Sequence, residues 1–365
     1  MRRLLIPALI LLCACLLLAA CDKNNNTQQE TADPTDSGSN TTAPITVTED
    51  PDGNQIPIQD AVAFYVGEEP VYNYEFNFHV VSEVNAFAAS EEGIEAGFDP
   101  NLPLSEQYYP GYEETMEELF KEKVIADLQS SVAFYLESKA NGYIPGEQEI
   151  ADIESFISSV LAYAASEGWT EEEFYLYSYG VEMTREQLHS LLERNIIGTA
   201  YKNQVLDGLE FEENVIEEFY EKNKMSAGVP EVNVVALRVL NFANKQMGLD
   251  VLEKFEQGDR SEESFTELVK TYTMYDEDIE TGGLYPDVGP VNQRIEYFDQ
   301  VEQWTFDSER KHGDYKFFET EADYRLVFFV DVGEPLWRLW SIYMLQNEAL
   351  RNIVNQYPVS YPEYE

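Results

Sequence analysis

The chain has 365 residues, 44% of them hydrophobic and 13% aromatic, so it is long enough for two domains and apolar enough to fill their cores. Its 69 acidic residues outnumber 23 basic ones and give a formal net charge of −46. That charge argues against nucleic acid or anionic lipid headgroups as direct partners, because both are bound through clustered basic residues.

The first 20 residues read as a secretory leader. Arg2 and Arg3 precede an apolar run over 4–18, and small residues follow. The sequence Leu18-Ala19-Ala20-Cys21 resembles a bacterial lipobox, which implies cleavage before Cys21 and attachment of lipid to its thiol. The alternatives are an ordinary signal peptide or an uncleaved anchor helix, although the run is short for a membrane span. We expect a lipoprotein signal peptide over 1–20 and a protein held on the outer face of the bacterial cell membrane.

Residues 21–59 are predicted to be a disordered tether. From Asp22 to Gln59 the chain is rich in polar and small residues and contains no aromatic residue, so it buries too little apolar surface to fold. A flexible coil of about 38 residues spans roughly 35 Å, which is enough to hold a folded body clear of lipid. All three cysteines lie within the first 21 residues, so we expect no disulfide or thiol chemistry in that body.

Residues 60–225 are predicted to form a mainly helical domain that opens with a short strand over 61–66. In the helix predicted over 112–140, apolar residues recur every four positions. They are Met116, Phe120, Val124, Leu128, Val132 and Leu136. Capping boxes at Thr170 and Thr184 predict two further helices. The strand, the turn after it and the helix start resemble the opening of the chaperone domain in PrsA/SurA-type foldases.

Residues 226–335 alternate between strand-like and helical patterns. An apolar strand-like run over 234–240 is followed by a helix that Gly258 ends, and then by a helix that Ser261 opens. An acidic loop and a Gly282-Gly283 turn come next. Two strand-like runs, 315–320 and 324–332, close the region.

That order of elements resembles the parvulin (PpiC-type) family of peptidyl-prolyl isomerases. The residues that carry the resemblance are Phe265 to Val269 with Tyr272, Gly282-Gly283, Trp304 to Asp307, Arg310 to Asp314, Glu319-Thr320 and Asp323 to Leu326. The resemblance implies an α+β protein. A mainly helical SurA-N-like domain would accompany a four-stranded antiparallel sheet with helices.

The resemblance also implies where an isomerase site would lie. Parvulins place two histidines beside a cysteine or aspartate, and the matching positions here hold Arg238 and Arg325, with Tyr275 or Asp276 at the acid. The apolar walls around a proline ring would be Tyr297, Phe298, Trp304 and Phe306.

Two arginines are a large departure from two histidines. Guanidinium groups stay charged, cannot donate to one another, and approach closely only with an acid between them. Asp276, Asp278 or Asp323 would have to supply that acid. We therefore expect a weak or inactive isomerase, and the alternative for Arg238 and Arg325 is a purely structural, salt-bridged role.

Other chemistry finds little support in the sequence. The three histidines, His79, His189 and His312, show no zinc-binding spacing, and His189 lies beside an apolar helix face. The acidic run over 276–280 lacks the alternation and the central glycine of a calcium loop. No phosphate-binding or dinucleotide-binding glycine motif occurs, so we expect neither a metal nor a cofactor.

Residues 336–365 are predicted to form a C-terminal helix that returns to the helical domain, as in PrsA/SurA-type proteins. The sequence therefore predicts a lipid-anchored foldase that binds unfolded, newly exported polypeptides. An active peptidyl-prolyl cis-trans isomerase and a surface-binding lipoprotein without folding activity are the alternatives. The sequence leaves open whether the protein is a homodimer.

Overall fold

A computed structural model describes residues 47–49, 55–229, 231–273, 275–289, 299–320 and 323–362. The predicted signal peptide, Cys21, Tyr297 and Phe298 lie outside these residues. Two compact units form: one holds the described residues up to Leu209 and those from Glu348 onward, and the other holds Glu210–Asn347. In the described part of the chain, we find no helix with the length and apolar character needed to cross a membrane.

The first unit begins with a small strand pair inside the predicted tether. Val47–Glu49 (β1) pairs antiparallel with Gln55–Pro57 (β2). The prediction of disorder is therefore wrong for these two segments. Val47, Thr48 and Ile56 in these segments are β-branched residues, which favour strand pairing.

The rest of the first unit is mainly helical, as predicted. A three-stranded sheet has the order β4-β3-β9. Its strands are Val62–Val66 (β3), Glu69–Tyr72 (β4) and Val359–Ser360 (β9). The helices are Asn73–Ala89 (α1), Glu91–Glu95 (α2), Met116–Ala140 (α3), Glu147–Glu167 (α4), Glu171–Tyr179 (α5) and Arg185–Asp207 (α6).

Local sequence signals fix where these helices begin. Thr115, Thr170 and Thr184 each form a capping box with the residue three positions later, so α3, α5 and α6 start where backbone donors are satisfied. The four-residue apolar repeat of α3 is buried from Met116 to Val132, as its spacing predicts.

The second unit is built around a four-stranded antiparallel sheet with the order β6-β5-β8-β7. Its strands are Asn233–Phe242 (β5), Leu284–Val288 (β6), Tyr315–Glu319 (β7) and Tyr324–Pro335 (β8). Its helices are Glu213–Ala227 (α7), Lys245–Gln257 (α8), Glu262–Tyr272 (α9), Asp276–Thr281 (α10), Asp299–Thr305 (α11) and the first part of Leu336–Val354 (α12). The predicted boundary at 225/226 lies one helix further along the chain than the division in the structure. The α+β class and the four-stranded antiparallel sheet are as predicted.

The two faces of this sheet carry separate apolar clusters, because alternate residues of a strand point to opposite sides. One cluster packs against α8 and α9 and contains Leu240, Phe242, Leu326 and Phe328 with Phe255, Phe265 and Val269. We call it the helix-covered face. The other contains Val235, Leu237, Val239, Val327 and Phe329 with Phe318 and with Val301 of α11. We call it the α11 face.

Candidate functional site

The α11 face offers an apolar floor with aromatic walls. Trp304 and Phe306 pack against its cluster, and the ring of Trp304 meets that of Phe318 edge-on with centroids 5.7 Å apart. The Arg310 guanidinium lies 5.1 Å from the Trp304 ring centroid and 3.4 Å from Asp314, so the indole is held from a second side. Trp304 and Phe306 therefore pack at the margin of the α11 cluster, and their role as walls of a proline site stays a prediction.

A polar group lies at one end of this face, where Arg325 opens strand β8. The Nε atom of Arg325 donates to both carboxylate oxygens of Asp323, at 2.9 and 3.0 Å. The Thr320 hydroxyl donates to Asp323 Oδ1 at 2.6 Å. Asn241 lies opposite Arg325 on β5. Its side-chain oxygen is buried and has no hydrogen-bond partner within the described residues.

A buried carboxyl group, Asp278 of α10, lies beside the same sheet. Only 3% of Asp278 is exposed, and it accepts hydrogen bonds from the Thr273 hydroxyl at 3.1 Å and the Tyr285 hydroxyl at 3.3 Å. Burial raises the pKa of Asp278, while the two hydrogen bonds act in the opposite direction. The carboxyl therefore resists ionisation although two donors face it.

Two tyrosines lie near these groups: Tyr285 is hydrogen-bonded to Asp278, and Tyr275 interacts electrostatically with Asp278, Asp323 and Arg325. Desolvation of the hydroxyl and the Asp278 charge raise the pKa of Tyr285 to about 12, so it stays a neutral donor. Burial also raises the pKa of Tyr275, followed by the charge of Asp323, while Arg325 lowers it. Tyr275 is thus within electrostatic reach of both members of the Arg325–Asp323 pair.

Arg238 does not belong to this face. Its register partner is Phe328, whereas Arg325 pairs with Asn241. The two arginines are therefore offset by three positions, which puts them on opposite faces of the sheet. Arg238 Nε donates to Glu262 at 2.9 Å, and Nη1 donates to the carbonyl oxygens of Thr281 and Gly282 at 2.9 Å each. The expectation of two arginines in one site is wrong, and Arg238 instead ties the start of α9 and the Gly-Gly turn to β5.

Close packing explains the Gly282-Gly283 turn itself. Both residues have positive φ, at 62° and 67°, where other residues are strained. A Cβ atom on Gly283 would lie 2.5 Å from the Val239 carbonyl oxygen, and the Val239 N–H donates to the Gly283 carbonyl at 2.9 Å. The glycines therefore let the chain pass directly over β5.

The carboxyl group that turns inward beside the sheet is not the predicted Asp276 but Asp278, two residues later in the chain. Asp276 is exposed at the start of α10, and Asp278 is the carboxyl that turns inward. Reasoning from the sequence also missed Tyr285 and Asn241. Strand alternation could have revealed Asn241, because it shares the parity of Val235, Leu237 and Val239. No sequence signal distinguishes Asp278 from its acidic neighbours.

The apolar cluster of the α11 face is buried, with no member more than 8% exposed, so a ligand would meet the partly buried Trp304 and Phe306 and the polar edge of the face. The floor is apolar, and its edge offers a guanidinium, a carboxyl group and two phenols. None of the three histidines contributes: His312 bonds to the Val330 carbonyl and contacts Phe328 on the helix-covered face, and the other two belong to the first unit. In the part of the chain that the structure describes, no group of three or more His, Cys, Asp or Glu side chains is placed to hold a metal ion.

No family model and no curated protein matches this chain. Among solved structures, it is similar to the foldase protein PrsA from Streptococcus pneumoniae (13% identity, 68% of this chain and 91% of that chain, TM-score 0.33). It is also similar to the foldase protein PrsA from Lactococcus lactis (10% identity, 83% and 95%, TM-score 0.31). A third similar structure comes from a study of the SurA-like chaperones PEB4 and Cj1289 of Campylobacter jejuni (18% identity, 62% and 88%, TM-score 0.24).

Proposed function

We propose that this protein is an extracytoplasmic foldase, anchored by lipid on Cys21, that binds unfolded exported polypeptides. Its second unit is a parvulin-type domain that holds proline-containing segments and isomerises them weakly or not at all. The observation that carries this proposal is the α11 face of the sheet, which combines an apolar floor and aromatic walls with an edge that has no imidazole.

The order of elements in the second unit supports the parvulin assignment. Strand β5 is followed by three helices, strand β6, helix α11 and the paired strands β7 and β8. The sheet order places the first and last strands side by side at its centre. Of this arrangement, the resemblance in the sequence implies the four-stranded antiparallel sheet with helices and the paired strands at its end.

The chemistry at the edge of the face supports weak or absent catalysis. Rotation about a prolyl bond has a barrier of about 18–20 kcal/mol, and an isomerase must stabilise the twisted amide more than the planar forms. Arg325 is held by Asp323, Arg238 lies on the other face, and Asp278 is buried. Because these groups are already paired or buried, they are poorly placed to stabilise the twisted amide more than the planar one.

An exposed apolar segment in the first unit supports the chaperone role. Four large side chains between residues 91 and 115 are 54–68% exposed: Ile94, Leu102, Tyr108 and Tyr112. The segment is packed against α1 and α3, because the ring of Phe98 contacts those of Phe87 and Phe120, with centroids 5.2 and 5.7 Å apart. Such a group of apolar side chains on an ordered base is suited to capturing unfolded chains.

The test measures both activities of the full-length chain. We expect it to suppress aggregation of a chemically unfolded client at micromolar concentration. It should accelerate isomerisation of a proline-containing tetrapeptide little above the uncatalysed rate of tens of seconds. Failure to hold the client contradicts the foldase. Fast isomerisation that Arg325→Ala abolishes contradicts the weak-isomerase part and favours the active enzyme.

A separate measurement tests the anchor. Wild-type protein should fractionate with membranes, and Cys21→Ala should be released. Equal membrane association of both proteins would contradict lipid attachment at Cys21 and favour the uncleaved helix.

A further inference from the structure

A cavity of about 180 Å³ lies in the first unit. Side chains of α1, α3 and α6 line it. Gly198 of α6 allows the helices to approach, because a Cβ atom there would lie 2.4 Å from the Ser131 carbonyl oxygen of α3. The cavity therefore sits beside a tight helix crossing.

One wall of the cavity carries hydrogen-bond donors at helical spacing. Asn195, Thr199 and Lys202 line it from α6, and positions i, i+4 and i+7 share one helix face. Thr199 is buried, and its hydroxyl donates to Asn195 Oδ1 over 3.5 Å, which is a weak hydrogen bond that a ligand can displace. Within the described residues, no carboxylate lies within 4.0 Å of the half-buried Lys202 ammonium. This wall thus offers an amide, a hydroxyl and a cation that has no anionic partner there.

The other charged side chains that line the cavity form ion pairs with one another. Lys123 lies 2.7 Å from Asp127 and 3.3 Å from Glu83. Burial lowers the pKa of His79 to about 4, against the charge of Asp127, so its imidazole is neutral at neutral pH. Two lysines and two carboxylates give a formal sum of zero, and the two carboxylates would repel a dianion.

An apolar wall faces the same space. Val124, Leu128 and Phe134 of α3 line the cavity and are at most 2% exposed. A space with donors on one wall and hydrocarbon on another suits an amphiphilic molecule. Cavities of about 150 Å³ accept a molecule as large as benzene, so an occupant of about seven heavy atoms fits.

We propose that this cavity is a binding site for a small aliphatic monocarboxylate. The carboxylate accepts hydrogen bonds from Asn195, Thr199 and Lys202, and a short hydrocarbon chain lies against Val124, Leu128 and Phe134. The ion pair between Lys202 and the ligand is charge-assisted and partly desolvated, which makes it the main source of selectivity. The proposal does not depend on the foldase activity, because the site shares no residue with the α11 face.

Calorimetric titration of the full-length chain with valerate, valeramide and inorganic phosphate tests the proposal. Valerate should bind with one-to-one stoichiometry and raise the melting temperature. Valeramide should bind at least about tenfold more weakly, because a neutral amide loses the ion pair. Phosphate should not compete with valerate. Absence of valerate binding at millimolar concentration, or equal binding of valeramide, overturns the proposal, as does preferential binding of phosphate.

Two variants locate the site. Lys202→Met keeps the aliphatic stem and should weaken valerate binding about 10- to 100-fold. Lys121→Met, on the exposed side of α3, is the matched control and should bind as wild type does. Thr199→Val should weaken binding several-fold without a change in charge. Unchanged affinity in both Lys202→Met and Thr199→Val, with folding verified by circular dichroism, contradicts the assignment of the donors.

Discussion

The central strands of the second unit each carry an arginine, and the two side chains are used in different ways. Arg238 on the helix-covered face is 14% exposed and bonds to one carboxylate and two backbone carbonyls from other elements. Arg325 on the α11 face is 17% exposed and bonds to Asp323, which is only two residues away. Arg238 therefore joins distant parts of the chain, whereas the observed ion pair of Arg325 is local.

The difference shows that strand parity decides the role of a residue more than its type does. A shift by one position moves a side chain to the other face. The long-range bonds of Arg238 hold α9 and the Gly-Gly turn in place, which leaves the α11 face free to carry polar groups at its edge. The apolar clusters of both faces are buried, and no member of the α11 cluster is more than 8% exposed. Both clusters stabilise the unit, and the part we propose for binding is the polar edge of the α11 face with Trp304 and Phe306.

Arg238→Ala should cause the largest loss of stability. Removing one partner of a largely buried ion pair leaves Glu262 and two carbonyl oxygens without their donor, at a cost of about 3 kcal/mol. The free energy of unfolding from urea titration measures this loss. Lys311→Ala, an exposed lysine of the same unit, should change it by less than about 0.5 kcal/mol. Equal effects of both substitutions would contradict the structural role of Arg238.

Gly283→Ala should be nearly as damaging, at about 2–3 kcal/mol. Alanine at φ 67° is strained, and its Cβ would meet the Val239 carbonyl oxygen at 2.5 Å. Gly313 has φ 90° but no atom within 4 Å of an added Cβ. Gly313→Ala should therefore show the conformational cost alone, about 1 kcal/mol. If the two alanine variants unfold at the same urea concentration, the close approach of the turn to β5 is not a source of stability.

The elements of the second unit could be predicted because local signals encode them. Ser261 caps α9, with its hydroxyl accepting from the Ser264 N–H at 3.1 Å, and the apolar residues Phe265 and Val269 fall on one helix face. Gly258 follows the last residue of α8. These features depend on a few neighbouring residues, which a single sequence contains.

The site could be predicted only in part, because its geometry depends on non-local register. Trp304 and Phe306 pack on the sheet, as apolar residues near a sheet do, and their role at a proline site stays a prediction. The pairing of Arg238 with Phe328 and of Arg325 with Asn241 joins strands that are distant in the sequence, and no periodicity within one strand reports that register. Asp276 and Asp278 lie on the same short helix, and only their positions around its axis make one side chain exposed and the other buried.

Arg325→Ala should have a small effect on stability and a larger one on binding. Its ion pair with Asp323 is local and partly solvated, so we expect a loss within about 1 kcal/mol of unfolding free energy. Binding of a proline-containing peptide, measured by fluorescence titration, should weaken several-fold if the α11 face is the binding face. Arg238→Lys, which keeps a cation on the other face, is the comparison and should bind the peptide as wild type does. Weaker binding only in Arg238→Lys would reverse the roles assigned to the two faces.

The smallest expected effect is a pH dependence that distinguishes Asp278 from Asp276. Burial raises the pKa of Asp278 in the folded protein, so the folded state holds this proton more tightly than the unfolded chain, in which aspartate titrates near about 4. The free energy of unfolding therefore falls as pH rises from the unfolded value through the raised folded value, because the folded state binds more protons in that window. Asp278→Asn should remove this contribution to the slope, whereas Asp276→Asn, at an exposed position on the same helix, should leave it unchanged. Identical slopes in both variants across urea titrations at stepped pH would mean that the Asp278 carboxyl is solvated in the folded protein.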